Sequence, residues 1–115
     1  MDRASVKETI LAVIDCMRAS NHCFSKCLQE EDLLMVAECI RLTKECAEVC
    51  ALTLNALESD SAFMKPIGAL CAQVCDTCAV ECGRHMHDHC QRCAEACLRC
   101  AEHAGTWRPH NRFLV

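Results

Sequence analysis

The chain has 115 residues, room for one domain with a modest core. Its residues are 52% hydrophobic but only 3% aromatic, and three Gly with two Pro supply too few turns for a β-sandwich or barrel. A net charge of −4 offers no basic footprint for nucleic acid, and no run of about eighteen apolar residues exists to span a membrane.

Four helices are predicted in chain order, at 5–28, 32–57, 61–84 and 86–104, within a single domain 1–105 followed by a tail, 106–115. Charges at positions 2, 3, 7 and 8 and an apolar stretch of only Ile10 to Ile14 do not fit a signal peptide, so a cytoplasmic chain with reduced thiols is expected. The acidic break Gln29-Glu30-Glu31-Asp32 ends the first helix and places negative charge at the start of the second. Glu58-Ser59-Asp60-Ser61 supplies N-cap candidates for the third, inside which Pro66 marks either the true first turn or a kink. Gly105 is the expected stop of the fourth, with Pro109 beyond it. Short connections imply antiparallel neighbours, so the expected fold is all-α, an up-down-up-down four-helix bundle.

Fourteen of the residues are cysteines, and their spacing is helical. Cys16, Cys23 and Cys27 follow C-x6-C-x3-C, a pattern that Cys39, Cys46 and Cys50 repeat. Cys71, Cys75, Cys78 and Cys82 form a denser third set, and Cys90, Cys93, Cys97 and Cys100 a fourth. At 100° per residue each set falls within an arc of about 40° to 80° on its helix. The face that buries Val13, Leu54, Leu57 and Ile67 therefore buries the sulfurs, and the core becomes a thiol-lined tube roughly 16 Å long.

Cysteine does serve as a small buried hydrophobe, but fourteen of them would fill a core less well than Leu or Ile. Disulfides suit the arrangement poorly, because i,i+4 neighbours on one helix have nearly parallel Cβ vectors. A soft metal suits it. Structural zinc asks for four ligands per tetrahedron, and fourteen thiols do not divide into fours unless His makes up the difference. The ferredoxin-type C-x2-C-x2-C-x3-C-P run is absent, which disfavours an iron–sulfur cluster. Cu(I) selects thiolates and thioethers, and one monovalent ion per thiolate would neutralise a core that could not otherwise hold fourteen negative charges. The expected ligands are the fourteen cysteines and the expected load is multiple Cu(I) ions, near one per Cys.

The turn Cys82-Gly83-Arg84-His85-Met86-His87-Asp88-His89-Cys90 lies at the open end of this tube. His85 and Met86 fall near the extended cysteine line, with His87 and His89 further off it; together they suggest a mouth where imidazole and thioether hand Cu(I) to the thiolates. His22, His103 and His110 fall off the stripes and read as surface residues. Leu54, Leu57, Met64 and Ile67 should close the opposite end. An apolar stripe on the first helix (Val6, Ile10, Val13, Met17, Phe24, Leu28) fits either an oligomer interface or a wide core face.

These residues resemble the copper storage proteins, a bacterial family of cysteine-rich four-helix bundles. The match is strongest in Cys71-x3-Cys75-x2-Cys78-Ala-Val-Glu-Cys82, the His-rich turn, and His89-Cys90-x2-Cys93-Ala-x2-Cys97-x2-Cys100-Ala, and it covers nearly the whole chain. The resemblance implies a homotetramer of bundles, Cu(I) held by core cysteines, and a His- or Met-bearing mouth; copper donor or acceptor proteins are the expected partners of such a store. It departs from many cytosolic members in having somewhat fewer cysteines. The competing reading is a zinc or cadmium thiolate buffer of the metallothionein kind. A thiol redox enzyme is disfavoured, because a catalytic thiol needs a helix N-terminus or a neighbouring cation and most of these lie mid-helix on apolar stripes.

Overall fold

A computed structural model describes residues 3–106; Pro109, His110 and the rest of the tail beyond Thr106 lie outside the described residues. Four helices account for the fold: α1 Arg3–Cys27, α2 Leu33–Glu58, α3 Met64–Gly83 and α4 Asp88–Gly105. α1 packs on α2 and α4, and α3 packs on the same two, so the helices form a square without diagonal contact. This is the antiparallel up-down-up-down bundle that short connections between long amphipathic helices produce. None of these helices is long and apolar enough to cross a membrane.

The helix ends are set by local chemistry, and two differ from the sequence expectation. Asp32 caps α2, its carboxylate accepting from the Met35 backbone N–H at 3.2 Å. At the other end of α2 the Glu58-Ser59-Asp60-Ser61 stretch does not cap α3; it terminates α2. Asp60 adopts a left-handed φ of 57°, Ser61 N–H donates to Ala56 O at 2.9 Å, and Asp60 N–H donates to Leu57 O at 3.4 Å. Those two reverse bonds satisfy the orphan carbonyls of the last turn, as in a Schellman cap with Asp where Gly is commonest. α3 therefore begins at Met64, three residues later than the spacing suggested, and Pro66 sits in its first turn, where the missing N–H has no intrahelical partner to lose.

α4 likewise begins at Asp88 and not at residue 86. The Gln91 side-chain amide reaches back to donate to the carbonyls of His85 at 2.6 Å and Gly83 at 3.1 Å, which pins the α3–α4 turn. Gly105 remains within α4 and no glycine has positive φ, so its role is not that of a left-handed stop. A Cβ there would lie 3.2 Å from the Ala72 Cβ, so the glycine lets the end of α4 approach α3 closely.

The core contains few large side chains. All fourteen cysteines have zero solvent exposure, and apart from Val36 near the start of α2 the larger buried aliphatics gather at one end. There Val13, Ala56, Leu57, Met64 and Ala104 are buried, with Leu54 and Ile67 half-buried against them. On α1 the apolar stripe divides: Val13 enters the core, Ile10 and Met17 pack at its edge, and Leu28 stays half exposed at 51%.

The reversed cap yields a stability prediction. Replacing Asp60 by Gly should leave the melting temperature unchanged or raise it, whereas Asp60→Val should cost about 1–2 kcal/mol through the left-handed φ, as read by thermal unfolding of the apo protein.

Candidate metal centre

Each helix presents its cysteines inward because their i+3, i+4 and i+7 spacing keeps them on one stripe. The sulfurs meet in two groups. At the end that carries the α1–α2 and α3–α4 turns, where a mouth was expected, Cys23, Cys27, Cys39, Cys82 and Cys90 form one group, termed the mouth group: Cys23 lies 3.8 Å from Cys27, 3.9 Å from Cys39 and 3.8 Å from Cys90, and Cys39 lies 3.1 Å from Cys82. Deeper in the bundle Cys16, Cys46, Cys75 and Cys97 contact one another at 3.6–3.8 Å. Cys71 joins them through Cys75 at 3.9 Å and Cys100 through Cys71 at 3.8 Å, while Cys50 falls in the same four-sulfur groups. All fourteen are free thiols.

Several sets of sulfurs lie within 4.8 Å of one another, among them Cys16/46/50/75, Cys23/27/39/90, Cys50/71/75/100, Cys23/82/93 and Cys46/78/97. Cys50 and Cys75 belong to two of the four-membered sets, and Cys23 and Cys46 each to two sets. The sulfurs thus make two lattices of shared vertices, linked by the Cys78–Cys82 and Cys93–Cys97 contacts, and not a series of separate tetrahedra. Shared vertices suit ions of low coordination number that thiolates bridge.

The polar residues at the mouth group divide in a way that the stripe geometry did not foresee. Met86, placed near the cysteine line by its spacing, is 86% exposed. His85 turns instead to Glu81, its Nε2 lying 2.8 Å from the carboxylate. The imidazole that reaches the sulfurs is His89, which the spacing put off the line. Its Nδ1 lies 3.4 Å from Cys23 Sγ, 3.5 Å from Cys90 Sγ and 3.9 Å from Cys27 Sγ. The break before Asp88 shifts the register of α4 relative to α3, so extending the α3 stripe through the turn gives the wrong face. His87 stacks on His89 with ring centroids 5.3 Å apart. His22 is exposed and His103 half-buried.

Sequence reasoning missed Glu30. Its backbone N–H donates to Cys27 O at 3.1 Å in the tight α1–α2 turn, and its carboxylate meets His89 Nε2 at 3.0 Å and His87 Nδ1 at 3.5 Å. The hydrogen bond from His89 holds the Glu30 carboxyl below its ordinary range. An ionised Glu30 can only accept, so it favours the proton on Nε2 and turns Nδ1 towards the three sulfurs. Glu30 is a single acid in an acidic run, so only the folded turn distinguishes it.

Four hydroxyls were also missed: Thr9, Ser20, Thr43 and Thr53 are fully buried. Thr43 donates to Cys39 O at 2.7 Å and Thr53 to Val49 O at 2.8 Å, while Ser20 Oγ lies 3.8 Å from Cys93 Sγ. The repeated C-x6-C-x3-C pattern contained the signal, since Ser20 and Thr43 both follow a cysteine by four and precede one by three.

Electrostatically the mouth group combines donors with an acceptor. Burial, followed by repulsion from Cys39, pushes the Cys27 thiol up to about 11, and burial is likewise the largest cause raising Cys90. Cys39 is held down at about 3 by hydrogen bonds from Cys23 and then Cys82, while Cys23 is raised, its hydrogen bond to Cys39 the largest cause. A sulfur that accepts from neighbouring thiols is the one that most readily gives up its proton to an arriving cation.

The copper storage protein family, abbreviated Csp, matches residues 2–108. The chain belongs to this family. It is 58% identical over 93 residues to the uncharacterized cysteine-rich protein YhjQ of Bacillus subtilis (strain 168), a stretch covering 81% of this chain and 86% of that protein. It superposes on the Cu(I)-bound copper storage protein BsCsp3 with a TM-score of 0.84 at 54% identity, over 87% of this chain and 94% of the other. A cytosolic copper storage protein from Streptomyces lividans, loaded with five coppers, gives a TM-score of 0.85 at 33% identity, over 89% and 90% of the two chains.

The raised Cys27 thiol has a consequence for the metal-free protein. A thiol whose folded pKa exceeds its unfolded value stabilises the fold fully below about pH 9, and that contribution is lost as pH rises towards about 11. Chemical denaturation of reduced apo protein should therefore show falling stability between these pH values, with Cys27→Ala flattening the fall.

Proposed function

We propose that this protein binds and stores multiple Cu(I) ions inside the bundle, near one per cysteine, with Cys16, Cys23, Cys27, Cys39, Cys46, Cys50, Cys71, Cys75, Cys78, Cys82, Cys90, Cys93, Cys97 and Cys100 as ligands. The carrying observation is the lattice of shared sulfur sets, every member of which is fully buried. A buried thiolate without compensation costs several kcal/mol, and a bridging monovalent ion cancels one charge for each proton displaced. Soft sulfur retains Cu(I) against harder ions. The Cu(I)-bound family members of the same fold support carrying this chemistry over to this chain.

Loading takes place at the 82–90 turn. His89 receives the ion on Nδ1, at a point already in contact with Cys23, Cys27 and Cys90, and passes it to those sulfurs. Glu30 fixes the ring orientation and tautomer through Nε2, and His87, stacked outside His89, extends the path towards solvent. His85, engaged by Glu81, and the exposed Met86 serve at most as outer contacts for an arriving donor. The opposite end, plugged by Leu57 and Met64, is closed to the ion. The role is that of a store, not an enzyme, situated in the cytoplasm as in the Streptomyces lividans relative and exchanging copper with donor and acceptor proteins. Met17, Phe24, Ala47 and Ala51, flanked by Asn21, Lys44 and Glu48, line a groove between α1 and α2 that suits the homotetramer implied by the family resemblance.

A zinc or cadmium buffer is the second reading, favoured by the four-sulfur sets. Zn–S bonds of about 2.3 Å would fit such a set, but the sets compete for Cys50 and Cys75 and would leave other thiols unused. Anaerobic titration of the reduced protein separates the two. Saturation near one Cu(I) for each of the 14 cysteines supports storage; a tight plateau at a few Zn(II) with weak Cu(I) binding would overturn it. Glu30→Gln should leave that capacity unchanged while slowing uptake by about 10-fold or more, read by stopped-flow transfer from a chromophoric Cu(I) chelator.

A further inference from the structure

The sulfur lattice narrows at its waist. Between the mouth group and the deep group, α1 presents Ser20 and α2 presents Thr43, both fully buried. Only α3 and α4 carry sulfur at that level, as Cys78 and Cys93. Cys78 lies 3.9 Å from Cys82 in the mouth group and shares a set with Cys46 and Cys97 of the deep group. Cys93 lies 3.9 Å from Cys97 and shares a set with Cys23 and Cys82. Among the described residues direct sulfur contacts stop short of crossing from one group to the other, and it is the sets Cys46/78/97 and Cys23/82/93 that bring this pair within 4.8 Å of both.

The hydroxyls cannot substitute for sulfur. The Thr43 hydroxyl donates to the carbonyls of Cys39 at 2.7 Å and Ile40 at 3.1 Å, so it is committed to its own helix. Ser20 offers a hard neutral oxygen, a poor ligand for a soft monovalent ion.

Resting on the storage reading above, we propose that Cys78 and Cys93 form the relay by which Cu(I) ions pass from the mouth group to the deep group. The step is ligand exchange without redox change. A Cu–S bond to Cys82 breaks as one to Cys78 forms, and the Cys78 proton passes to the freed Cys82 sulfur across their 3.9 Å contact. The Cys93–Cys97 contact carries the equivalent exchange on α4. Filling is then sequential: five mouth cysteines load first, and the seven deep ones fill through the relay.

The test is anaerobic stopped-flow uptake by the full reduced chain from a chromophoric Cu(I) chelator. Cys78→Ser/Cys93→Ser should take up about five equivalents at the wild-type rate and then fill about tenfold more slowly or not at all. The control Cys71→Ser/Cys100→Ser removes the same number of thiols from the deep end, keeps the relay, and should fill without a break. Wild-type protein that falls far short of one Cu(I) per cysteine would overturn the storage reading itself. Full wild-type loading, with the relay variant filling its twelve remaining thiols at the control's rate, would overturn the relay alone. Ser20→Cys supplies an independent reading if circular dichroism shows the relay variant unfolded. It completes a sulfur row on α1 from Cys16 to Cys27, so filling beyond the first five equivalents should quicken; an unchanged rate overturns the proposal.

Discussion

Burying fourteen sulfurs inside a bundle this small restricts their charge more than their packing. Each is fully excluded from water, and a thiolate there costs several kcal/mol without a counter-charge. The metal-free core therefore keeps most of its protons, and a soft monovalent cation can replace them one for one without leaving net charge behind. Other features of the protein serve this constraint. The aliphatic plug at one end provides a conventional core where the sulfurs do not, and the helix caps allow the bundle to form before any ion arrives.

The two ends of the bundle divide the work. Val13, Leu57, Met64 and Ala104 close one end with ordinary apolar contacts. At the other, a carboxylate meets Nε2 of an imidazole whose Nδ1 faces three thiols. Because Glu30 is anchored to the last turn of α1 and His89 starts α4, the α1–α4 contact is also what builds the mouth. Between the ends, Ser20 and Thr43 thin the lattice on one side, leaving the sulfur path to α3 and α4.

Much of this was legible in the sequence, because cysteines three, four or seven residues apart fall on one stripe of each of four helices, and such stripes converge in the core. The bundle, its antiparallel order and the inward sulfurs all follow from that periodicity. The turns were less legible, since their chemistry is ambiguous from residue types alone. Ser59-Asp60-Ser61 is a plausible N-cap as a string, yet Asp60 takes the left-handed conformation and closes the preceding helix. His89 and Met86 exchanged expected places because the stripe of α3 does not continue through a turn into α4. Glu30 was hidden because its role depends on a contact across 59 positions of chain. The waist hydroxyls were overlooked because cysteine spacing was read and the positions between cysteines were not.

The account depends on charge being cancelled ion by ion within a preformed fold. Its most direct test counts protons released from weakly buffered, reduced apo protein during an anaerobic Cu(I) titration, with far-UV circular dichroism followed in parallel. About one proton per Cu(I), constant up to saturation with helicity unchanged, is the expected result. Two protons per ion with saturation at half the cysteine count, or a coil spectrum that becomes helical only on loading, would contradict it.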